Sequence, residues 1–558
     1  MKAIIQIFSE HGTFVQPDTL NYILAKENPE EFTSYLTKEL KEYPLVLTLD
    51  QVKSIEQTSE NNEILNPPQD FIKNKELQSK ILFDLYNPEL KPKKNIIENE
   101  DDDLLIDQDK FPLDSKKILK TEIKSKYVVY NGTDRWNAFS RDFDSDVKII
   151  KDITGKSTCE GTTKDFMKLF IDRFENLRKI LKSQRRELAN IIPINKIYKT
   201  DVKNIQIIGI IKDVRNTKNG HRLIEIEDDT GSAIAIVLKN NPEVFQIARE
   251  IVLDEIVGLA GQLSKNGDLL VIQNIIYPDI SIQNRRHKSE EPICAAFLSD
   301  IHIGSKEFLE KQWQSFIKWI NGQMGNSRQM DVASKIKYII IPGDVVDGIG
   351  IYPSQEKELS ITNLYKQYEV LADYISQIPD YISIIIQPGN HDAVRPAEPQ
   401  PTFEKEIQNL FSGNDITFVG NPSYFSVHGV EVLSYHGQSL LDFATNIQHL
   451  KYNDPVEIMK IMLRKHHLAP IYGGYTPLAP EHKDYMIIDR IPDIFVTGHV
   501  HLANVGDYRG VKLINASSWQ SQTSYQKMLN FIPDPAKIPI INLKTSNVTM
   551  MDFNKNSF

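Results

Sequence analysis

Five short strings in the C-terminal half of the chain carry groups able to bind a metal ion or move a proton. They are Ser299-Asp300-Ile301-His302, Gly343-Asp344-Val345-Val346-Asp347, Gly389-Asn390-His391-Asp392, His436-Gly437 and Gly498-His499-Val500-His501. Carboxylates, an amide oxygen and imidazoles without thiolate suit divalent ions such as manganese, with magnesium, zinc and iron as the alternatives. Two such ions side by side would clamp a phosphate and acidify a water, which answers the repulsion a phosphodiester offers to any nucleophile. A lone Asp-x-His or His-x-His pair is usually incidental. Here 5 of the 13 histidines fall in these strings, so coincidence is a poor explanation.

The elements that must position these groups are apolar runs, one ahead of each string: Ile293 to Leu298, Ile336 to Ile341, Tyr381 to Ile386, Val430 to Ser434 and Ile494 to Val496. Helical segments alternate with them, the pattern of an α/β domain whose site gathers at the carboxyl ends of buried strands. Gly343, Gly389, Gly437 and Gly498 stand beside the candidate ligands, where the backbone must turn sharply or come close.

A chain of 558 residues exceeds what one core organises, and 41% hydrophobic with 25% charged residues is an ordinary globular mix. No apolar stretch reaches about 18 residues and the N-terminus does not read as a signal peptide, so a cytoplasmic protein with no membrane contact is expected. Cys159 and Cys294 are far apart, against a zinc ribbon, an iron–sulfur site or a disulfide framework. The net charge of -10 is awkward for a free-standing nucleic-acid binder, so either a basic surface is local or a partner supplies it.

The expected organisation is multidomain: a small helical N-terminal domain over 1–60, a charged flexible linker over 61–160, an amphipathic helix over 161–195, a small β-barrel over 196–285 and the α/β domain over 286–558. In the barrel region, five short strands with a helix from Pro242 to Arg249 after the third suggest the OB type. Its strands carry almost no aromatics, which favours a structural or protein-contact role over single-strand binding. The basic end of the amphipathic helix, with Arg178, Lys179, Lys182, Arg185 and Arg186, is either a solvated face or a phosphate contact, the former weighing more.

The ordered set of strings resembles the calcineurin-like metallophosphoesterase family over about residues 293 to 525. The resemblance implies an α/β sandwich with one ion on Asp300, His302, Asp344 and His501 and a second on Asp344, Asn390, His436 and His499, Asp344 bridging. It also implies that His391 faces the scissile phosphate and stabilises or protonates the leaving oxygen, with Asp392 placed to orient it. Asp347 would stand behind the ligands or cap a helix.

Three longer strings, PGNHDAVRPAEPQP from Pro388, MLRKHHLAPIYGG from Met462 and PDIFVTGHVH from Pro492, are similar to the small subunits of archaeal family D DNA polymerases. That similarity implies a proofreading 3'-5' exonuclease, a large catalytic polymerase subunit as partner and a DNA primer 3' end as substrate. The alternatives are a non-catalytic assembly subunit, which would require lost ligands, and a phosphatase or phosphodiesterase acting on another substrate. Arg395, Glu398 and Gln400 either line the cleft or stiffen a surface loop. Arg464, Lys465, His466 and His467 either contact DNA or, with Tyr472 and Tyr475, meet the partner. Trp519 and Gln520 receive no role.

Overall fold

The computed structural model describes residues 137–554, other than 200–203, 265, 266 and 268, together with scattered residues between 14 and 52. The chain divides into two compact units, Met1–Val128 and Val129–Phe558. In the first, Phe14–Val15 pairs in parallel with Val46–Leu47. The helical domain expected over 1–60 lies for the most part outside the described residues, as does all of the expected linker up to residue 136.

The second unit is built on two six-stranded sheets and a closed barrel. In chain order its elements begin with β1 (Val147–Lys151) and α1 (Thr163–Gln184), and the barrel follows. Its strands are β2 (Ile205–Asn216), β3 (Arg222–Asp228), β4 (Gly231–Val237), β5 (Ile256–Leu263) and β6 (Leu270–Ile276), with α2 (Pro242–Ala248) inserted after β4. They close in the order β2-β3-β4-β6-β5 around Ile207, Ile211, Ile224, Ile226, Val257 and Leu259.

The first sheet uses β7 (Cys294–Phe297), β8 (Ile336–Pro342), β9 (Ser383–Gln387) and β10 (Asp415–Phe418), and α3 (Glu310–Ile320), α4 (Ser327–Lys335) and α5 (Leu364–Ile375) connect them. The second begins with β11 (Ser423–Val427) and β12 (Val430–Ser434), followed by α6 (Leu440–Asn446) and α7 (Pro455–Lys465). Next come β13 (Ile494–Thr497), β14 (Asn504–Tyr508), β15 (Val511–Asn515) and α8 (Ser524–Met528), before β16 (Lys537–Asn542) and β17 (Val548–Asp552) return to the first sheet. The sheet orders are β10-β9-β8-β7-β16-β17 and β14-β15-β13-β12-β11-β1.

Strands β7, β8 and β9 are mutually parallel neighbours, as are β12 and β13. Being buried on both faces, they read as continuous Ile- and Val-rich runs rather than alternating ones. Between the sheets, Ala295, Phe297, Ile340 and Ile385 of one meet Phe425, Val432, Val496 and Ile514 of the other. Trp313, Phe316 and Leu371 cover the outer face of the first sheet, and Phe443, Ile458 and Met462 that of the second.

Helix α1 starts at a capping box in which Thr162 and Asp165 satisfy each other's backbone N–H groups. Its Phe174, Leu177 and Leu181 pack on Ile208, Ile256 and Ile276 of the barrel and on Ile487. Arg173 fixes it further: Nε donates to Asp484 at 2.6 Å and Nη1 to the Pro470 carbonyl at 2.6 Å. Of its basic end, Arg185 donates to the Tyr277 and Pro278 carbonyls, each at 2.8 Å, while Lys179, Lys182 and Arg186 are exposed.

Residues 137–160 correct the expected linker. There β1 adds to the edge of the second sheet beside β11, Ser140 donates to the Ile336 carbonyl at 2.7 Å, and Asp152 accepts from Gly420 N at 2.8 Å. The reason the segment reads as polar is that β1 is an edge strand with three exposed residues out of five, so pairing rather than burial makes it a strand. Among the described residues no helix is long and apolar enough to cross a membrane.

Candidate metal centre

The two bundles of parallel strands deliver five carboxyl-end loops to one edge of the stacked sheets. Backbone hydrogen bonds tie these loops together: Asp300 N to the Gly343 carbonyl at 3.1 Å, His302 N to Asp344 O at 3.1 Å and Gly498 N to His436 O at 2.9 Å. Side chains add two more, His391 N to Asp344 Oδ1 at 2.8 Å and His499 N to Asp300 Oδ2 at 2.9 Å. Asp300, His302, Asp344, His499 and His501 all take left-handed backbone, φ between 50° and 67°. Such strain in non-glycine residues persists only where the surroundings dictate it, and it clusters at functional sites. Between the loops there is no room for a side chain at Gly389, where a Cβ would lie 2.2 Å from Asp344 Oδ1.

All the expected ligands meet. Asp300, His302 and His501 form one cluster of donor atoms, and Asp344, His436 and His499 another. His302 Nε2 stands 3.1 Å from His501 Nε2, and His436 Nε2 stands 3.2 Å from His499 Nδ1 and 3.0 Å from Asn390 Oδ1. Asp344 Oδ2 reaches both clusters, 3.2 Å from His436 Nε2 and 4.0 Å from His302 Nε2. Asp300 Oδ1 is buried and accepts no hydrogen bond although His501 Nε2 is 3.3 Å away, so the two atoms converge on a shared volume without being aligned on each other. Acceptor and imidazole nitrogen atoms crowded in this way fit one cation per cluster, with Asp344 shared.

The groups behind the donors fix which ring nitrogen faces the site. His302 Nδ1 is 2.9 Å from Asp347 Oδ1 and His436 Nδ1 is 2.8 Å from the Pro342 carbonyl, leaving each Nε2 for the shared volume. Asp347 therefore stands behind the His302 ring, on the side away from the donor cluster; it caps no helix. Gln520 holds Asp347 in turn, with Nε2 donating to Oδ1 at 3.0 Å and to Ser305 Oγ at 2.9 Å. Gln526 Nε2 lies 3.1 Å from His501 Nδ1. Neither glutamine carries a signal in the sequence, because what recruits them is the chain's return past β15.

His391 and Asp392 depart from expectation. The His391 ring is oriented by a backbone group, Nδ1 lying 2.8 Å from the Asp347 carbonyl oxygen. The Asp392 carboxylate instead accepts from Gly389 N at 2.8 Å, from Val345 N and Val346 N at 3.3 Å each, and from the Tyr368 hydroxyl at 3.2 Å. It staples the Gly-Asn-His-Asp loop to the Gly-Asp loop and does not touch the imidazole beside it. A third cluster of donors, His302, Asp347 and His391, is this same arrangement: His391 Nδ1 bonds to the Asp347 carbonyl, and His302 Nδ1 lies 2.9 Å from the Asp347 carboxylate, at ion-pair distance but off the line of a hydrogen bond.

The charges support one another. Burial pushes the Asp300 carboxyl up, but His302 and His501 outweigh it and hold it well below the usual carboxylate range. Burial lowers His302, yet Asp300 and Asp347 raise it to about 10; burial lowers His436, and Asp344 raises it to about 10. His499 is driven down to about 3 by burial and by His436. Burial keeps His391 below the ordinary imidazole value despite Asp344.

Of the residues read as either facing DNA or a partner or serving the fold, Glu398, Gln400, Lys465, His466 and His467 are buried, whereas Tyr472 and Tyr475 stay 46% and 39% exposed. Glu398 and Gln400 are buried, and both accept from Asn421, which itself accepts from His436 N at 2.9 Å. Arg395 donates to Glu481 at 2.8 Å and Ser157 at 2.7 Å, so the Pro-rich loop is a fixed brace. Lys465 is buried against Glu255, the Glu250 carbonyl and the Tyr277 hydroxyl; His466 bonds to Ile488 O and Asp279 O, and His467 to Asp484. This string ties the barrel to the sheets, a role hidden because a run of basic residues reads as surface. Tyr472 packs on Phe166 of α1 with ring centroids 4.9 Å apart, and Trp519 is buried against Trp313.

Residues 295–505 match the family of B subunits of DNA polymerases alpha and epsilon. A DNA polymerase II small subunit of Methanocaldococcus jannaschii is 44% identical over 416 residues, which is 74% of this chain and 69% of that one. A protein of the same name from Archaeoglobus fulgidus is 44% identical over 394 residues, 71% of this chain and 78% of its own. The corresponding protein of Methanothermobacter thermautotrophicus is 43% identical over 404 residues, 72% and 82% of the two chains.

Proposed function

The chain belongs to the family of archaeal DNA polymerase II (family D) small subunits, and on that premise we propose that it is a two-metal phosphodiesterase, a 3'-5' exonuclease that removes nucleotides from a primer end while bound to a large catalytic subunit. The reading makes the paired sheets a metallophosphoesterase sandwich over 286–558 and the closed barrel an OB-type domain over 196–285. The barrel serves structure or partner contact, and the protein works in the cytoplasm.

The observation that supports it is the convergence of Asp300, His302, Asp344, Asn390, His436, His499 and His501, with ring nitrogens 3.1 and 3.2 Å apart and Asp344 reaching both clusters. Two divalent ions there, manganese with magnesium, zinc or iron as alternatives, supply charge against the phosphate and activation of water at neutral pH. The chain's own part is orientation. Asp347 and the Pro342 carbonyl present Nε2 of His302 and His436, and the Asp347 carbonyl presents Nε2 of His391 toward the substrate side. From there the imidazolium form, with Nδ1–H on that carbonyl and a second proton on Nε2, hydrogen-bonds the leaving oxygen or hands it that proton, the charge of the bound phosphate offsetting the burial that lowers His391 in the free chain.

Metal analysis of the purified chain tests this directly. About two divalent ions per chain are expected, and Asp344→Ala should lose both because it is the shared donor. A chain that binds none at millimolar manganese would end the reading. A small-molecule phosphatase would instead cleave p-nitrophenyl phosphate and ignore DNA.

A further inference from the structure

A cation pair reads only the phosphate, which every nucleotide shares, so the nucleoside must be held by something else. The barrel strands are nearly free of aromatics, whereas the mouth of the metal centre is not. Tyr352 lies on the loop that follows Asp347, its ring centroid 6.4 Å from that of His391. Tyr525 lies on α8, next to the Gln526 that touches His501. The two rings approach to 5.9 Å between centroids with only 25° between their planes, from segments that flank the site on its His391 and His501 sides.

Unlike the buried Trp313 and Trp519, both tyrosines are only half-buried. Exposed apolar side chains lie near them in the chain: Ile351, 39% exposed, adjoins Tyr352, and Met528, 71% exposed, follows Tyr525 on α8. The Tyr352 hydroxyl donates to Glu358 at 3.2 Å, which fixes the ring from its far end. Neither ring is among the residues that fill the cores of the two sheets.

We propose that Tyr352 and Tyr525 form a stacking platform for the terminal nucleobase of a single-stranded DNA end, so that the metal centre favours nucleotides carrying a base over abasic sugar phosphates. This rests on the phosphodiesterase reading and adds what holds the terminal base. Stacking tolerates any of the bases because each has a π face, which is what an exonuclease that removes whichever nucleotide was misplaced requires.

The test uses the full chain in manganese with two single-stranded oligonucleotides, one ending in 2-aminopurine and one ending in an abasic residue. Fluorescence quenching on binding and the rate of terminal cleavage are both measured. The wild type should quench the terminal 2-aminopurine and remove it about tenfold faster than the abasic residue. Tyr352→Ala should lose both differences while Tyr352→Phe keeps them; Tyr525→Ala gives an independent variant on the opposite side. Cleavage of both ends at one rate without quenching overturns the platform and leaves the hydrolase reading intact. Quenching without cleavage of either end does the reverse, and absence of both overturns both. Quenching and preference that survive in Tyr352→Ala and Tyr525→Ala alike also overturn it.

Discussion

His391 and Asp392 adjoin in sequence, yet the ring of one is held by the Asp347 carbonyl and the carboxylate of the other fastens two loops. Their variants should therefore fail differently. His391→Ala is expected to lower kcat by about 10²- to 10⁴-fold with metal content unchanged, the usual range for a proton-transfer group. Asp392→Ala should lower the melting temperature and perturb metal binding, because Gly389 N, Val345 N and Val346 N lose their acceptor together. Asp347→Ala is predicted to weaken manganese binding by about 10- to 100-fold in a calorimetric titration, since His302 would lose the group that fixes its ring. The donors themselves were legible because strings of Asp, Asn and His after apolar runs admit few other uses. Of the groups behind them only Asp347 was among the readings, as one of two alternatives; the Pro342 and Asp347 carbonyls and the true contacts of Asp392 were not, since chain adjacency says nothing of side-chain direction and a backbone carbonyl has no identity in sequence.

At the scale of elements, close approach and buried charge decide the outcome. At Gly389 an added Cβ would meet Asp344 Oδ1 at 2.2 Å and His436 Cε1 at 2.8 Å. Gly389→Ala should cost about 1–3 kcal/mol of stability and spoil the metal centre, visible as lost metal in a chain that keeps its circular dichroism. Helix α1 depends on Arg173, whose ion pair with Asp484 is buried on both sides. Arg173→Ala is expected to cost about 3–5 kcal/mol, because Asp484 would keep its charge without its partner. Burial pushes the Asp484 carboxyl up, but Arg173 and His467 outweigh it and hold it well below the ordinary range. A carboxyl depressed in the folded state contributes stability that is present above its unfolded pKa of about 3.9 and is lost as pH falls through the folded value. The gap in melting temperature between wild type and Arg173→Ala should therefore narrow below about pH 4 and stay constant near neutrality. The parallel strands and α1 were readable because burial on both faces, or on a 3.6-residue period, marks the sequence. Strand β1 was not, since partners more than 270 residues away make it a strand.

For the whole molecule, the proposed function asks a chain of net charge -10 to act on a polyanion. On that reading electrostatic steering works against unaided encounter with DNA, and a basic surface on the large subunit is what the proposal requires. The basic string from Arg464 to His467 does not supply it, being spent on the junction between barrel and sheets. The multidomain α/β architecture with its closed five-stranded barrel was legible from the alternation of strands and helices, but which basic residues face solvent was not, because that depends on how the barrel docks. The most direct measurement is degradation of 3'-single-stranded DNA in manganese by the chain assembled with its large subunit, comparing wild type with His391→Ala. Stepwise loss of nucleotides from the 3' end in the wild type and its loss in the variant is the predicted result. No degradation by the wild type, or degradation that His391→Ala leaves undiminished, would contradict the account.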